Sequence, residues 1–359
     1  MKIEGNKLVL LFLICSLMAF SGNLMSIERK YGEGERKLES SRRKIKISFK
    51  LSGGLGYLLN GAGDLNRVRK SYEAYLKGLE EESLYSYSFD WKKLSIFPNW
   101  KVDLIINISP NIGIGFGSGV IVASNEGELS LDYNNVLGDF LVGTNKINHN
   151  ENVNQDYKIT AIPINFDFYY FKSIGKSGKY TFFGYTGVGY YLGRLIHDYE
   201  YKELINIESF SESQPIFKWQ LETNSRSNSK IRCNSLGLNG GLGLEMRISS
   251  IVSLGVELFG RYVNFNNWEG DRSVSLKLKE RVWFPKWGWN EETSNEESAE
   301  HGFLWTFDVH NEDFNKDYTT MLLWEEKPSE SFIRNTRKAS LNLNTLGIIF
   351  SIKFYLDLF

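Results

Sequence analysis

The feature that most constrains the fold of this chain is a strict alternation of apolar and polar residues, clearest between residues 236 and 248. Its apolar positions are Leu236, Leu238, Leu242, Leu244, Met246 and Ile248, and the positions between them include Gly237, Asn239, Glu245 and Arg247. Side chains of a β-strand point alternately to opposite faces, so this period predicts a strand with one apolar and one polar face. About 11 residues at about 3.3 Å each, tilted by about 40°, rise about 25–28 Å, which matches the apolar zone of an outer membrane.

Seven further runs complete the pattern, although the sequence leaves the faces of the fifth run unassigned. The predicted strands lie near residues 44–59, 98–109, 112–124, 156–172, 179–196, 231–248, 251–266 and 339–359. A composition with 33 Gly, 24 Phe, 19 Tyr and only 6 Pro also favours strands and turns. We therefore predict an all-β chain that forms an eight-stranded antiparallel β-barrel.

The lengths of the connections decide which face of the barrel is outside. Short links lie at 109–111, 173–178 and 249–250, whereas long polar links lie at 60–97, 125–155, 197–230 and 267–338. Outer-membrane barrels alternate short periplasmic turns with long external loops and turn their apolar residues toward lipid. A soluble barrel, with its apolar face inward, explains neither this alternation nor strands of this length. The sequence therefore predicts a transmembrane barrel.

The N-terminal residues predict export. A charged head is followed by an apolar stretch from Leu8 to Phe20, and Ala19 and Ser21 are spaced as in a cleavage site. The predicted divisions are a signal peptide at 1–21, a periplasmic N-terminal segment at 22–43 and the barrel at 44–359. An uncleaved anchor helix is the alternative, but about 13 apolar residues are few for a bilayer span.

The predicted signal peptide, the eight alternating runs and a last strand ending in Phe359 resemble small outer-membrane β-barrel proteins of Gram-negative bacteria. The chain is similar to the outer-membrane β-barrel domain families, and its architecture resembles that of the outer-membrane protein A and W families. The resemblance implies location in the outer membrane, contact with its lipid, and recognition of the C-terminal strand by the assembly machinery. Phe359 departs from the pattern. Alternation places it on the same face of the last strand as Asp357, whereas Leu358 falls on the apolar face.

Several charged residues lie at the alternate positions that form the polar faces of the predicted strands. They are the only residue set in the sequence that suggests a functional site. These residues are Asp103, Asp167, Glu245, Arg247, Glu257, Arg261, Lys353 and Asp357. Eight strands enclose a lumen that side chains just fill, and unpaired buried charges are costly, so we expect opposite charges to pair and plug the barrel. The alternative is a narrow water path or gated pore, for which the many inward glycines would leave room.

Catalytic, metal and nucleic-acid sites find little support in the sequence. His197 and Asp198 are adjacent, but no serine stands in a His-x-Ser relation to any of the four histidines, so we predict no enzyme activity. No His, Cys and Glu set has a metal-ligand spacing, and we predict neither a metal nor another cofactor. A net charge of -1 gives no excess of basic residues that would bind nucleic acid. We expect a monomer.

The long loops carry two further signals. Val68, Tyr72, Tyr75, Leu76 and Leu79 recur at helical spacing and predict an amphipathic helix between 64 and 82, which packs on neighbouring loops or covers the barrel mouth. The fourth loop contains strand-like pieces at 274–282 and 304–309, expected above the membrane; if they crossed it, the barrel would have ten strands. Two function classes remain open. One is permeation of small solutes, or transport of small apolar molecules, through the lumen; the other is a structural or surface-binding role of the loops. A barrel enzyme is less favoured than either.

Overall fold

The described part of the chain is almost entirely β-strand. The structure is a computed structural model that describes residues 46–81, 85–137, 144–175, 178–211, 214–311 and 316–357. The predicted signal peptide, the predicted segment 22–43 and Phe359 lie outside these residues. Fourteen strands and one helix are present within them. They are β1 (Lys46–Leu58), α1 (Asp64–Glu80), β2 (Tyr85–Trp91), β3 (Ile96–Asn107), β4 (Ile112–Leu137), β5 (Thr144–Ile174), β6 (Tyr180–Ser211), β7 (Gln214–Arg247), β8 (Val252–Phe265), β9 (Glu269–Phe284), β10 (Gly288–Asn311), β11 (Lys316–Trp324), β12 (Ile333–Lys338), β13 (Leu341–Asn342) and β14 (Thr345–Asp357).

Eight of these strands form a closed ring. Their order is β1-β3-β4-β5-β6-β7-β8-β14, and β14 returns to pair with β1, so that Lys46 lies opposite Asp357 and Leu58 opposite Thr345. Every pairing in the ring is antiparallel. The predicted eight-stranded barrel is therefore confirmed. The ten-strand alternative is wrong, because β9 and β10 pair outside the ring.

Apolar side chains cover the outside of the ring. Leu236 and Phe350 are 76% and 67% exposed, whereas the polar Ser48 and Lys50 are buried on the inward face. A soluble barrel would show the reverse distribution, so the exposed outer belt has the apolar character expected of a transmembrane barrel. The fifth run, whose faces the sequence left open, turns Val188 outward and its tyrosines at 185 and 191 inward. Within the described residues, no helix has the length and apolar character needed to cross a membrane.

A second wall continues from four of the barrel strands on the side of the long connections. Strands β4 to β7 extend beyond the apolar belt; β2 adds to β4, and β9, β10 and β11 add in turn to β7. The resulting external sheet has the order β2-β4-β5-β6-β7-β9-β10-β11. Helix α1 packs against both of its edge strands, because Tyr72 contacts Trp91 of β2 and Tyr318 of β11. The helix therefore bridges the two edges of the external sheet.

Helix α1 lies where the periodicity of the sequence predicts it. Leu65, Val68, Leu76 and Leu79 are buried on one face, and Lys and Arg side chains cover much of the other. Gly63 precedes the helix with a φ of 62°, a left-handed conformation that glycine adopts without strain. The helix thus packs on its neighbouring strands, and Leu65 and Val68 in its first half join the apolar core above the barrel.

Candidate functional site: the barrel interior

The eight charged residues selected from the sequence separate into three groups in the structure. Six are buried on inward faces: Asp103, Asp167, Glu245, Glu257, Arg261 and Lys353. Arg247, the last residue of β7, is exposed, and its guanidinium lies 4.8 Å from the centre of the Tyr355 ring. The backbone of Asp357 pairs with Lys46, and its side chain lies outside the described part of the chain. Strand parity therefore does not place Arg247 in the buried interior, because this residue sits at the end of the wall.

The middle of the lumen holds an alternating chain of basic and acidic groups. Lys50 Nζ lies 2.9 Å from Glu257 Oε2 and 3.5 Å from Asp103 Oδ2. Lys101 Nζ lies 3.1 Å from Asp103 Oδ1 and 3.0 Å from Asp167 Oδ2. Asp103 is thus shared between two ammonium groups, one on its own strand and one on β1. Removal of one member would therefore unbalance the charges of its buried partners, which is costly in a low-dielectric interior.

The two lysines of this chain were not among the residues selected from the sequence. Lys50 and Lys101 are only 2% and 5% exposed, on the same inward faces as Ser48 and Asp103. The parity that selected the acidic residues applies to these lysines as well, so the signal was present. Lysine is seldom fully buried, which made an exposed position the ordinary expectation for both.

Neutral polar groups complete the middle layer. The Tyr185 hydroxyl donates to Glu257 Oε1 at 2.5 Å, and Asn239 Nδ2 donates to Asp167 Oδ1 at 2.7 Å. Lys101 Nζ lies 4.5 Å from the centre of the Tyr185 ring. These contacts satisfy carboxylate oxygens that would otherwise face a low-dielectric lumen.

A second, smaller layer lies toward the short turns. Lys353 Nζ is 3.2 Å from Glu245 Oε2, and Lys353 also lies 4.6 Å from the centre of the Phe171 ring. Hydroxyl groups of Ser253 and Tyr355 donate to Glu245 Oε1. The Glu245 carboxylate therefore binds one ammonium group and two hydroxyl groups, which closes the lower lumen.

Arg261 forms the upper layer without a carboxylate in contact. Its Nη2 donates to Asn99 Oδ1 at 3.4 Å, and the guanidinium lies 5.8 Å and 5.6 Å from the ring centres of Tyr191 and Phe259. Its positive charge balances the interior as a whole. The buried bases Lys50, Lys101, Arg261 and Lys353 face the buried acids Asp103, Asp167, Glu245 and Glu257, four against four.

The inward glycines do not leave the empty space that the alternative of a water path would need. A Cβ atom at Gly117 would lie 2.1 Å from Asp103 Oδ1, and one at Gly243 would lie 2.4 Å from Cζ of Phe183. The same close approach is found for Gly115 with Tyr169, Gly187 with Asp167 and Gly241 with Tyr185. Glycine therefore makes room for bulky neighbours, and those neighbours fill the lumen.

An apolar core seals the barrel above Arg261. Side chains of the barrel wall pack there with the fourth connection, which contributes Trp268, Leu304, Met321 and Leu323. Other members of this core from the wall and the first connection are Leu58, Leu65, Val68, Phe97, Ile121, Tyr157, Leu195, Ile231, Val263, Phe265 and Leu341. The lumen is thus closed twice, by paired charges within the membrane and by apolar packing above them.

His197, the neighbour of Asp198 in the sequence, is part of this upper core. Its ring stacks on Tyr157 with centres 4.2 Å apart, and Tyr157 stacks on Trp91 at 5.7 Å. Burial, with the Arg272 guanidinium nearby, lowers the pKa of His197 to about 3. Asp198 is exposed on the opposite face and accepts a hydrogen bond from Asn228. The adjacent His and Asp therefore point to different faces of one strand.

No group of three or more His, Cys, Asp or Glu side chains among the described residues is arranged to hold a metal ion. No model of a protein family and no curated protein matches the sequence.

Several solved structures are similar to this chain. The outer membrane protein OprG from Pseudomonas aeruginosa shares 9% identity over 87% of this chain and 96% of its own, with a TM-score of 0.31. The outer membrane protease OmpT from Escherichia coli shares 10% identity over 89% and 99%, with a TM-score of 0.21. A FadL homologue from Pseudomonas aeruginosa shares 6% identity over 88% and 90%, with a TM-score of 0.15. The strand pairing and the apolar outer belt of this chain establish its barrel fold independently of these structures.

Proposed function

We propose that this chain is an exported outer-membrane β-barrel whose lumen is a closed structural core and whose external sheet is the working surface. The apolar belt anchors the barrel in the membrane, and the paired charges hold its strands in register. The external sheet and helix α1 then present a folded surface outside the cell. In this proposal the protein is a surface-exposed scaffold that meets ligands or partners through its long connections.

The closure of the lumen carries the proposal. A conducting pore needs a continuous polar path, but four acids and four bases fill the membrane section here and an apolar core lies above them. The residues of that core come from both the wall and the connections, so opening it would separate packed parts of the external sheet. A scaffold gains rigidity from the same packing.

A small-solute channel is the second candidate, and one observation favours it. In the described part of the chain, Asn165 Oδ1 and Asn239 Oδ1 are buried without a hydrogen-bond partner, and Asn239 pairs with Arg261 between β7 and β8. Buried polar atoms of this kind are usually satisfied by ordered water. A chain of such waters at the level of Arg261 would be the start of a path, opened by movement of the apolar core above it.

Recordings in planar bilayers test the two candidates. The purified full chain is expected to produce no discrete conductance steps, and neither is Arg261→Ala, because the apolar core remains. Regular steps from the wild-type protein that disappear in Arg261→Ala would overturn the scaffold proposal in favour of the channel. Folding of each sample is checked by the shift in gel mobility on heating.

The proposal includes no catalytic activity and no cofactor. The separation of His197 and Asp198 onto opposite faces supports this view, since a base and the group that orients it must converge. We further propose a monomer that contacts outer-membrane lipid and is assembled through its C-terminal strand. Nucleic acid is not among the proposed partners.

A further inference from the structure

The far end of the external sheet carries an exposed aromatic cluster. Residues 283–289, of sequence Trp-Phe-Pro-Lys-Trp-Gly-Trp, form the turn between β9 and β10. Trp287 is 75% exposed and Trp289 is 55% exposed. The Phe284 ring lies 5.6 Å from that of Trp287 and 5.4 Å from that of Phe217 on β7. We call Phe217, Phe284, Lys286, Trp287 and Trp289 the aromatic tip.

The turn that displays the aromatic tip is constrained. The Trp287 N–H donates to the Phe284 carbonyl at 3.2 Å, Pro285 follows Phe284, and Gly288 has a φ of 73°. These features describe a tight hairpin turn followed by a residue in the left-handed region. A constrained turn loses little conformational freedom when its side chains are buried against a partner.

The aromatic tip lies far from the membrane that holds the barrel. Strand β7 runs from Arg247 at the short-turn end to beyond Phe217. Lys218, the neighbour of Phe217, pairs with Trp283, which places Phe217 at the level of the tip. That length of strand corresponds to about 100 Å at about 3.3 Å per residue, or about 75 Å along the axis at a tilt of about 40°. Only about 25 Å of this height belongs to the apolar belt. The exposed tryptophans are therefore not girdle residues of the barrel's own membrane.

Charged residues near the aromatic tip lie both in the turn and on the strands β9 and β10 that carry it, which we call the stem. Lys286 is the one charged residue of the 283–289 segment, and its Nζ lies 6.0 Å from the centre of the Trp287 ring. Glu291, the nearest acid on β10, is bound at 2.9 Å by both Lys279 and Arg281. Further along β10, exposed acids follow: Glu292, Glu296 and Glu297. The tip is thus apolar and weakly basic, on a stem that carries excess acid.

We propose that the aromatic tip inserts into the interface of a second lipid bilayer, opposite the membrane that holds the barrel. The proposal rests on the proposed function, since it names the partner of the external sheet. Tryptophan favours the bilayer interface, and Lys286 can extend to a lipid phosphate while the rings beside it are buried. The exposed rings stand on a tight hairpin turn, and a bilayer interface can take up such a projecting turn. The acidic stem favours a zwitterionic lipid over a strongly anionic one.

Vesicle binding by the full chain tests this proposal. The protein is held in lipid nanodiscs, and labelled phosphatidylcholine vesicles are added and recovered by flotation. We expect the nanodiscs to float with the vesicles, with no gain when phosphatidylglycerol is mixed in. Changing Trp287→Ser together with Trp289→Ser is expected to weaken binding at least about tenfold. Phe332→Ser removes an exposed aromatic residue of the fourth connection outside the tip and is the matched control, expected to bind as the wild type does.

Several results would overturn the proposal. These are absence of wild-type binding, equal binding by the double tryptophan variant, or loss of binding in Phe332→Ser to the same extent. Binding that appears only when the vesicles carry glycans would assign the tip to carbohydrate instead. Heat-shifted gel mobility and resistance to protease establish that each variant is folded. Channel activity would contradict the proposed scaffold but would leave the flotation result unchanged, so the two failures are distinguishable.

Discussion

Asp64, the first residue of helix α1, is bound by Arg337 across 273 positions of sequence, with Arg337 Nη1 2.8 Å from Asp64 Oδ2. The same oxygen accepts the Ser340 N–H at 2.7 Å and the Thr306 hydroxyl at 3.2 Å. The carboxylate is buried at the start of the helix, where the helix dipole also favours a negative charge. One side chain therefore ties the first long connection to the fourth.

Replacing this carboxylate is expected to loosen the helix. Asp64→Asn removes the charge from its hydrogen bonds with a partly exposed Arg337, and we expect a loss of about 2 kcal/mol in the stability of the external sheet. Faster cleavage by trypsin within α1, in detergent-solubilised protein, is the measurement. Asp90→Asn is the control, because Asp90 is exposed and its contact with Lys92 is 3.8 Å. If trypsin cleaved α1 in both variants at the same rate, the Asp64 contact would not be what holds the helix in place.

Breaking the charge chain of the lumen is expected to destabilise the barrel itself. Glu257→Gln removes the carboxylate that lies 2.9 Å from Lys50 and leaves this lysine only Asp103 at 3.5 Å, which Lys101 shares. Loss of one partner of a buried ion pair costs up to about 3–5 kcal/mol. The temperature at which the protein shifts in gel mobility should fall accordingly. Glu292→Gln, an exposed residue of β10, should leave that temperature unchanged. A shift temperature for Glu257→Gln equal to that of the wild type would argue that the interior charges are dispensable.

Gly187 is expected to tolerate no side chain. A Cβ atom there would lie 2.1 Å from Asp167 Oδ1 and 2.2 Å from the Phe166 carbonyl oxygen, and backbone cannot move aside as a flexible side chain can. We expect Gly187→Ala to reduce the folded fraction in outer-membrane extracts strongly, through overpacking that costs more than about 3 kcal/mol. Gly184→Ala is the control, since its Cβ would meet the side-chain end of Leu242 at 3.0 Å. Normal assembly of Gly187→Ala would contradict the tight lumen.

His197 is expected to make the external sheet sensitive to acid. In the folded state its pKa is lowered to about 3, whereas an unfolded histidine titrates near about 6.5. As the pH falls below about 6.5, the unfolded state binds a proton that the folded state does not, so stability falls by up to about 1.4 kcal/mol per pH unit until about pH 3. The free energy of unfolding in urea, followed by tryptophan fluorescence, should therefore decrease from pH 7 to pH 5.

His197→Phe keeps a flat ring on Tyr157 but cannot take up a proton. Its urea midpoint is expected to vary less between pH 7 and pH 5 than that of the wild type. His301→Gln is the comparison, because Asp271 and Glu269 raise the pKa of this exposed histidine and give it the opposite pH dependence. An identical pH profile for the wild type and His197→Phe would mean that another group carries the acid sensitivity.

Much of the barrel could be predicted from sequence because its signals are local. The alternation in 236–248 fixes two faces within one strand, and the short link at 249–250 fixes the direction of the next. The position of α1 follows from apolar spacing in the same way. The boundaries of β4 to β7 did not follow, because these strands continue beyond the apolar belt, where their outward positions become polar while their inner positions pack with α1.

The alternation within each strand predicts which charged residues face inward but not which of them are in contact. Parity alone put Glu257 inside, and it would have put Lys50 inside too, but it could not show that these residues meet across 207 positions of sequence. Such contacts depend on the stagger of the strands around the ring, which no single strand encodes. Alternation also places Arg247 on the inward face, but this residue is exposed because it lies at the end of the barrel wall.

The sequence by itself predicted eight barrel strands, the two faces of all of them but the fifth, and the alternation of short and long connections, because these are local properties of the chain. Only the tertiary structure assigned the faces of the fifth strand and excluded ten strands. Only the tertiary structure decided that Tyr169, Tyr185 and Phe183 fill the space over the inward glycines, and that α1 joins the edges of the external sheet. Those outcomes depend on distances between segments far apart in the chain, which closure of the ring and packing of the core set together.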